Sequence, residues 1–243
     1  MRNSRYIRLA VLPLALLLPL AAQQNNGISK QQADDILNEL RQIRQLLEKQ
    51  AKPQVVPQME QPTHAKVNLD GVPMLGSKDA PLTIVEFTDY QCPFCQRFHV
   101  TTFNELKKNY IDTGKIRFYS RDLPLDFHAN AMRAAQAARC AGEQNQFWTL
   151  REMMSSNPDK LDLEHIVGFG SDLKMDASAL RKCITEEKYK AAVQSDVMEA
   201  MRIGATGTPA FVIGKSSPEG VEGELMLGAM PLMNFEEKMK TAK

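Results

Sequence analysis

Two cysteines separated by two residues, Cys92-Pro93-Phe94-Cys95, are the part of this 243-residue chain best suited to chemistry. A pair at that spacing can bind zinc, form an inert disulfide, or cycle between dithiol and disulfide, so spacing alone decides little. Zinc is disfavoured, because no second ligand pair of suitable spacing accompanies it and the four histidines are scattered. Redox cycling needs neither a metal nor an organic cofactor, and none is expected.

Placement narrows the choice. Leu82-Thr83-Ile84-Val85-Glu86-Phe87 is β-branched and mostly apolar, the pattern of a buried strand. A short polar turn, Thr88-Asp89-Tyr90-Gln91, separates it from Cys92, and Pro93 suits the first turn of a following helix. Cys92 therefore falls near a helix N-terminus, where unpaired N–H groups and the helix dipole favour a thiolate over the ordinary thiol of pKa about 8.5. Cys95, one turn further on, can attack a mixed disulfide formed at Cys92 and complete the exchange. Glu86 is anomalous in its apolar strand. Facing inward beneath the cysteines it would relay a proton to or from Cys95; facing outward it is an ordinary strand-edge residue.

These residues need a scaffold, and the surrounding sequence supplies one. Phe94, Phe98, Phe103 and Leu106 give helical spacing to about Tyr110, and Lys115–Tyr119 reads as a second strand, completing a β-α-β unit. From about 127 to 203 the pattern is helical throughout, with breaks at Asn157-Pro158 and Gly168–Ser171. Trp148 and the methionines of this insertion read as core, the alternative being that exposed methionines near the site give an adaptable peptide-binding surface. After Thr208-Pro209 come a strand at Ala210–Ile213, a turn-rich stretch Gly214–Gly223, a strand at Glu224–Leu227 and a helix from Pro231 to Lys240. The fold class expected is α/β, thioredoxin-like, over residues 67–243 with an all-helical insertion.

Three further segments precede that domain. Arg2, Arg5 and Arg8, the apolar run Leu9–Leu20, then Ala21 and Ala22 have the layout of a secretory signal over 1–22. A membrane anchor is the competing reading, but the run is short of about 18–20 apolar residues and contains Pro13 and Pro19. Residues 23–51 hold an amphipathic helix at Ser29–Gln50, whose Ala33, Ile36, Leu40, Ile43 and Leu47 follow a heptad seam. A coiled-coil stalk and a helix lying on its own domain both fit. Residues 52–66, with Pro53, Pro57 and Pro62, read as a linker.

The net charge of +1 falls to −2 once the three arginines of the first 22 residues are removed, leaving no basic footprint for nucleic acid. Cys140 and Cys183 bring the cysteine count to four, and an even count in an exported chain favours disulfides, with three pairings open.

Ile84-Val85-Glu86-Phe87-Thr88-Asp89-Tyr90-Gln91-Cys92-Pro93-Phe94-Cys95 and Gly207-Thr208-Pro209-Ala210-Phe211 together resemble the DsbA family of thioredoxin-like proteins, over Val67 to Lys240. The resemblance implies that Cys92 is the exposed attacking thiol, Cys95 its buried partner and Glu86 the acid beneath them. It implies a cis bond at Thr208-Pro209, where composition alone favours trans. Pro93, Phe94, Thr208 and Pro209 then line the substrate site, with the backbone beside Pro209 pairing with an extended peptide. It also implies a structural Cys140–Cys183 disulfide, worth very roughly 3–4 kcal/mol by loop closure. Phe127-His128 belongs to the resembling stretch without an assignable role. Many relatives carry histidine where Phe94 stands, which leaves the oxidising power open.

The function expected is an exported, periplasmic thiol-disulfide oxidoreductase acting on unfolded or misfolded exported proteins. Its redox partner would be a quinone-linked membrane oxidase or a reductase. A homo-oligomer built through residues 29–50 would favour isomerase or reductase activity. A noncatalytic peptide-binding chaperone and a metal-handling protein are the alternatives of another class.

Overall fold

The computed structural model describes residues 28–50, 64–218 and 220–242, in two compact units divided near residue 58. The signal sequence and most of the linker expected from the sequence lie outside the described residues.

Among the described residues the first unit contains one helix, α1 (Lys30–Gln50). Ser29 and Gln32 form a capping box: the Ser29 N–H donates to Gln32 Oε1 at 2.9 Å and the Gln32 N–H donates to Ser29 Oγ at 3.2 Å. Ile36, Leu37, Leu40, Ile43 and Leu46 are about half exposed along it. The Leu47 side chain lies outside the described residues.

The second unit is built on a six-stranded sheet, with β1 (His64–Val67), β2 (Met74–Gly76), β3 (Leu82–Thr88), β4 (Ile116–Asp122), β5 (Ala210–Ser217) and β6 (Gly220–Leu227) in the order β1-β6-β5-β3-β4-β2. Only β3 and β4 are parallel, as their crossover requires; all other neighbours are antiparallel. The crossover begins with α2 (Pro93–Phe98) and continues through α3 (Asn104–Leu106), with π-helical turns at His99–Phe103 and Lys107–Ile111. The Thr101 hydroxyl donates to the Arg97 carbonyl at 2.7 Å in the first of these turns, a side-chain intrusion that accompanies bending. Five helices form the insertion: α4 (Ala131–Gly142), α5 (Phe147–Ser155), α6 (Leu163–Asp172), α7 (Ala177–Thr185) and α8 (Lys190–Arg202). α9 (Leu232–Thr241) follows β6.

Both faces of the sheet are covered. Leu82, Ile84, Phe118, Phe211 and Ile213 pack with Phe98, Phe103 and Phe235 on one face; Val85, Phe87, Tyr119 and Val212 pack with Ala200 and Ile203 on the other. This explains why β3 reads as an unbroken apolar run. The insertion has its own core, and Cys140 on α4 is bonded to Cys183 on α7 with S–S 2.05 Å and Cα–Cα 5.9 Å.

Two sequence boundaries are corrected. Residues 64–66, assigned to the linker, belong to β1, which pairs with β6. The turn-rich stretch Gly214–Gly223 is mostly strand, because Gly214 and Gly223 stand directly opposite each other in the β5–β6 ladder. A Cβ on Gly214 would lie 2.1 Å from the Glu222 carbonyl oxygen, so these glycines mark close backbone approach rather than a bend.

Candidate active site

Cys92 is the N-cap residue of α2, extended at φ −73° and ψ 124°, with Pro93 in the first helical turn. Its carbonyl accepts from the Gln96 N–H at 3.0 Å, so the helix starts at the sulfur-bearing residue itself. The cysteines carry free thiols, the dithiol state of the pair. The Cys92 thiol is lowered from 9.0 to about 5, first by a hydrogen bond from the Cys95 thiol and then by the Thr208 hydroxyl and the N–H groups of Cys95 and Phe94; burial opposes them. Among the described residues the Thr208 hydroxyl has no other hydrogen-bond partner, so it is free to serve the sulfur.

The cis peptide Thr208-Pro209 lies across this helix end. Cys92 Sγ is 3.5 Å from the Thr208 carbonyl oxygen. That loop leaves Cys92 only 3% exposed, which corrects the expectation of an open thiol.

Cys95 behaves oppositely. Burial raises its thiol well above the ordinary value, reinforced by the hydrogen bond it gives Cys92 and by the negative charge of Glu86; only the Asp89 N–H, 3.4 Å from Sγ, opposes. One thiol is therefore ionised at neutral pH while its neighbour holds its proton, the division of labour that disulfide exchange requires.

Glu86 is 1% exposed and faces the sheet side on which α2 and α5 pack. Burial raises its pKa, opposed chiefly by the Arg151 guanidinium, with hydrogen bonds from Thr88 and Arg151. Arg151, on α5, is itself buried, is ion-paired to Glu86, and lies over the rings of Phe103 at 5.0 Å and Trp148 at 5.4 Å.

The family model described as Thioredoxin matches residues 68–222. Over 152 residues the chain is 30% identical to disulfide bond formation protein D of Bacillus subtilis, covering 58% of this chain and 68% of that protein. The chain belongs to the DsbA family of thioredoxin-like proteins. Over 139 residues it is also 29% identical to Na(+)/H(+) antiporter NhaA 3 of Salinispora tropica, covering 57% of this chain but only 21% of that protein, so it spans about a fifth of such relatives. The fold matches the crystal structure of Wolbachia pipientis α-DsbA1 with a TM-score of 0.65 at 24% identity, over 72% of this chain and 92% of that one.

Within this DsbA-family chain the active-site turn is fastened by Asp89, which in the sequence is one polar turn residue among several. Asp89 is buried, and its Oδ1 accepts from the Gln91 N–H at 2.7 Å. Its Oδ2 accepts from the Leu125 N–H at 2.9 Å and lies 2.8 Å from His128 Nδ1. His128 thus joins the loop before α4 to the turn that gives Cys95 its N–H. Gln91 adds a second tie, its Oε1 accepting from the Asn130 N–H at 2.8 Å. Phe127, the neighbour of His128, is 79% exposed, and Phe94 is 53% exposed with Arg97 stacked on its ring at 5.2 Å.

Cys92, Cys95, Pro93, Phe94, Glu86, Thr208 and Pro209 thus sit at the start of α2, in β3 beneath it and in the facing loop. Cys140 and Cys183 lie apart, between α4 and α7. Arg151 and Asp89 were missed: each gains meaning only through a partner distant in sequence. No group of three or more His, Cys, Asp or Glu placed to hold a metal ion occurs among the described residues, and no described helix is long and apolar enough to cross a membrane.

Proposed function

We propose that this protein is an exported thiol-disulfide oxidoreductase that forms or rearranges disulfides in envelope proteins through Cys92 and Cys95. The observation that carries the reading is the opposed ionisation of two adjacent thiols at a helix N-terminus, under a cis-proline loop. In reduction the Cys92 thiolate attacks a substrate disulfide and Cys95 resolves the adduct; in oxidation a substrate thiolate attacks Cys92 of the Cys92–Cys95 disulfide, Cys95 leaves as a thiolate, and a second substrate thiolate resolves the adduct. Glu86 takes or gives the Cys95 proton. Pro93, Phe94, Thr208 and Pro209 receive the substrate strand. The arginine-rich start and apolar run of residues 1–22 support export to the periplasm, and the redox partner is a membrane oxidase or reductase.

The test traps the adduct. Cys95→Ala protein should accumulate Cys92 mixed disulfides with exported proteins, and Cys92→Ala should abolish both these and insulin reduction. Full activity of Cys92→Ala would eliminate the redox reading in favour of a chaperone.

A second reading, isomerisation by an oligomer, is favoured by the exposed apolar side chains along α1. Residues 23–51 then form a stalk through which copies associate. Light scattering with and without residues 23–50 tests it; an unchanged mass would defeat it. The Cys92–Cys95 reduction potential, measured beside scrambled-ribonuclease refolding, separates the directions: a strongly oxidising pair without isomerase turnover identifies an oxidase.

A further inference from the structure

Below Cys95 the sheet carries a polar strip. The parallel register of β3 and β4 sets Glu86 beside Ser120 and Thr88 beside Asp122, and residues two apart on a strand share a face. All four are buried. Arg151 pairs with Glu86 at one end, and Arg139 Nε donates to Asp122 Oδ2 at 2.6 Å at the other. Tyr90, from the active-site turn, feels the charges of both carboxylates. Four atoms in this group, Tyr90 OH, Ser120 Oγ, Asp122 Oδ1 and Arg151 Nε, have no hydrogen-bond partner among the described residues. Buried polar atoms of this kind are ordinarily satisfied by ordered water.

The far end of the strip approaches solvent. The Asp122 N–H donates to Asp196 Oδ2 at 3.0 Å, and Arg139 is ion-paired to both carboxylates. Asp196, Arg139 and Arg121 line an open cleft of about 760 Å³, together with Asn68, Asp70 and Arg202. From a strand spacing of about 4.8 Å and a rise of about 3.3 Å per residue, the backbones at Glu86 and Asp122 are about 8 Å apart, a gap that one or two waters bridge.

We propose that Asp122 is a second proton-carrying carboxylate, passing the Cys95 proton from Glu86, through water held by Tyr90 and Ser120, to the cleft at Asp196. This rests on the oxidoreductase reading and deepens it. In the reductive direction the Cys95 S–H bond breaks and its proton goes to Glu86. The Cys95 thiolate attacks Cys92 Sγ in the mixed disulfide, the Cys92–substrate S–S bond breaks, and the substrate leaves as a thiolate. The two electrons gained by the substrate come from the enzyme dithiol, which becomes the Cys92–Cys95 disulfide. The proton on Glu86 then passes to Asp122 and out; substrate oxidation runs the route backwards.

Asp122 is suited to the task. Burial lifts it to about 7, with Arg139 opposing, Asp196 adding to the rise, and Arg151 also opposing. Its charged and titratable surroundings are Glu86 on β3, Tyr90 in the turn, Arg139 on α4, Arg151 on α5 and Asp196 on α8. A carboxylate there takes and gives protons at neutral pH.

The test follows the lifetime of the Cys92–glutathione adduct when reduced full-length protein meets oxidised glutathione, by acid quench and mass spectrometry from about pH 5 to about pH 9. Glu86→Gln should lengthen it about 100-fold, Asp122→Asn roughly 10-fold and Tyr90→Phe or Ser120→Ala a few-fold, within the range of general acid–base effects. Asp122→Asn should also lose the near-neutral break in the pH profile while the Cys92 thiolate titrates as before. A wild-type lifetime and profile in Asp122→Asn would overturn the proposal. Should that variant misfold, wild-type behaviour in both Tyr90→Phe and Ser120→Ala would do the same. If Glu86→Gln alone is slow, the proton leaves by the thiol mouth and the route is refuted. Failure of wild-type protein to form any adduct would instead sink the oxidoreductase reading itself.

Discussion

Replacing Cys95 by alanine removes the largest influence on the Cys92 thiol, the hydrogen bond it receives from its neighbour. With the Cys92 value near 5, about 99% of that sulfur is ionised at pH 7, against about 1% for a thiol at 9. A hydrogen bond to a charged group contributes about 1.5–3 kcal/mol, so Cys95→Ala should move the titration up by about 1–2 units, to roughly 6–7. The helix N–H groups and the Thr208 hydroxyl remain to hold it below an ordinary thiol. Thiolate absorbance against pH and the pH dependence of alkylation both read this directly. The same shift sets a stability slope. A thiol whose folded value is depressed stabilises the reduced protein above its unfolded value near 9, and that contribution is lost as pH falls through about 5. At pH 7 it is on the order of 3 kcal/mol, measurable as the difference in unfolding free energy between reduced protein and Cys92→Ala. Titration of native Cys92 above 8 would refute the helix-mouth argument. An unmoved value in Cys95→Ala would show that the neighbour is not the dominant donor.

Three other outcomes are expected. Breaking the Cys140–Cys183 bond by double alanine substitution, across a separation of 43 residues, should cost about 4 kcal/mol and lower Tm by roughly 10 °C while Cys92 reactivity stays; a loss under about 1 kcal/mol would mean the bond does not constrain the unfolded chain. His128→Ala should lose about 1.5–3 kcal/mol in urea unfolding, and His128→Asn, whose amide can replace the Nδ1 donor to Asp89, should recover most of it; equal losses would assign the effect to ring packing. His99, buried beside Arg151 and lowered from 6.5 to about 4, must stay neutral in the fold, so stability falls as pH drops from 6.5 towards 4. His99→Phe should therefore remove about 2 kcal/mol of the stability lost between pH 7 and pH 5, and an unchanged acid slope would contradict the assignment.

The β-α-β unit around Cys92 was legible because β3 is β-branched and apolar on both faces and Pro93 punctuates the helix start. β1 and β2 were not, since His64–Val67 and Met74–Gly76 are too short for alternation to rise above chance. Glu86 stood out as a carboxylate in an apolar run. Its counter-ion did not, because Arg151 lies 65 residues away on a helix where arginine is unremarkable. Asp89 reads as a turn residue, and only the fold shows that its carboxylate holds the loop at His128. The polar strip was hidden for the same reason: Ser120 and Asp122 acquire a shared face with Glu86 only when the strands are in register.

The Cys140–Cys183 bond sits in the packed insertion core, away from the start of α2. A mild reducing agent opens the Cys92–Cys95 pair first, because a disulfide is displaced faster when the thiol it releases has a depressed pKa, as Cys92 has. The protein can therefore be poised electrochemically at one centre while the other rivets its scaffold, so that catalytic turnover does not unfasten the framework that shapes it.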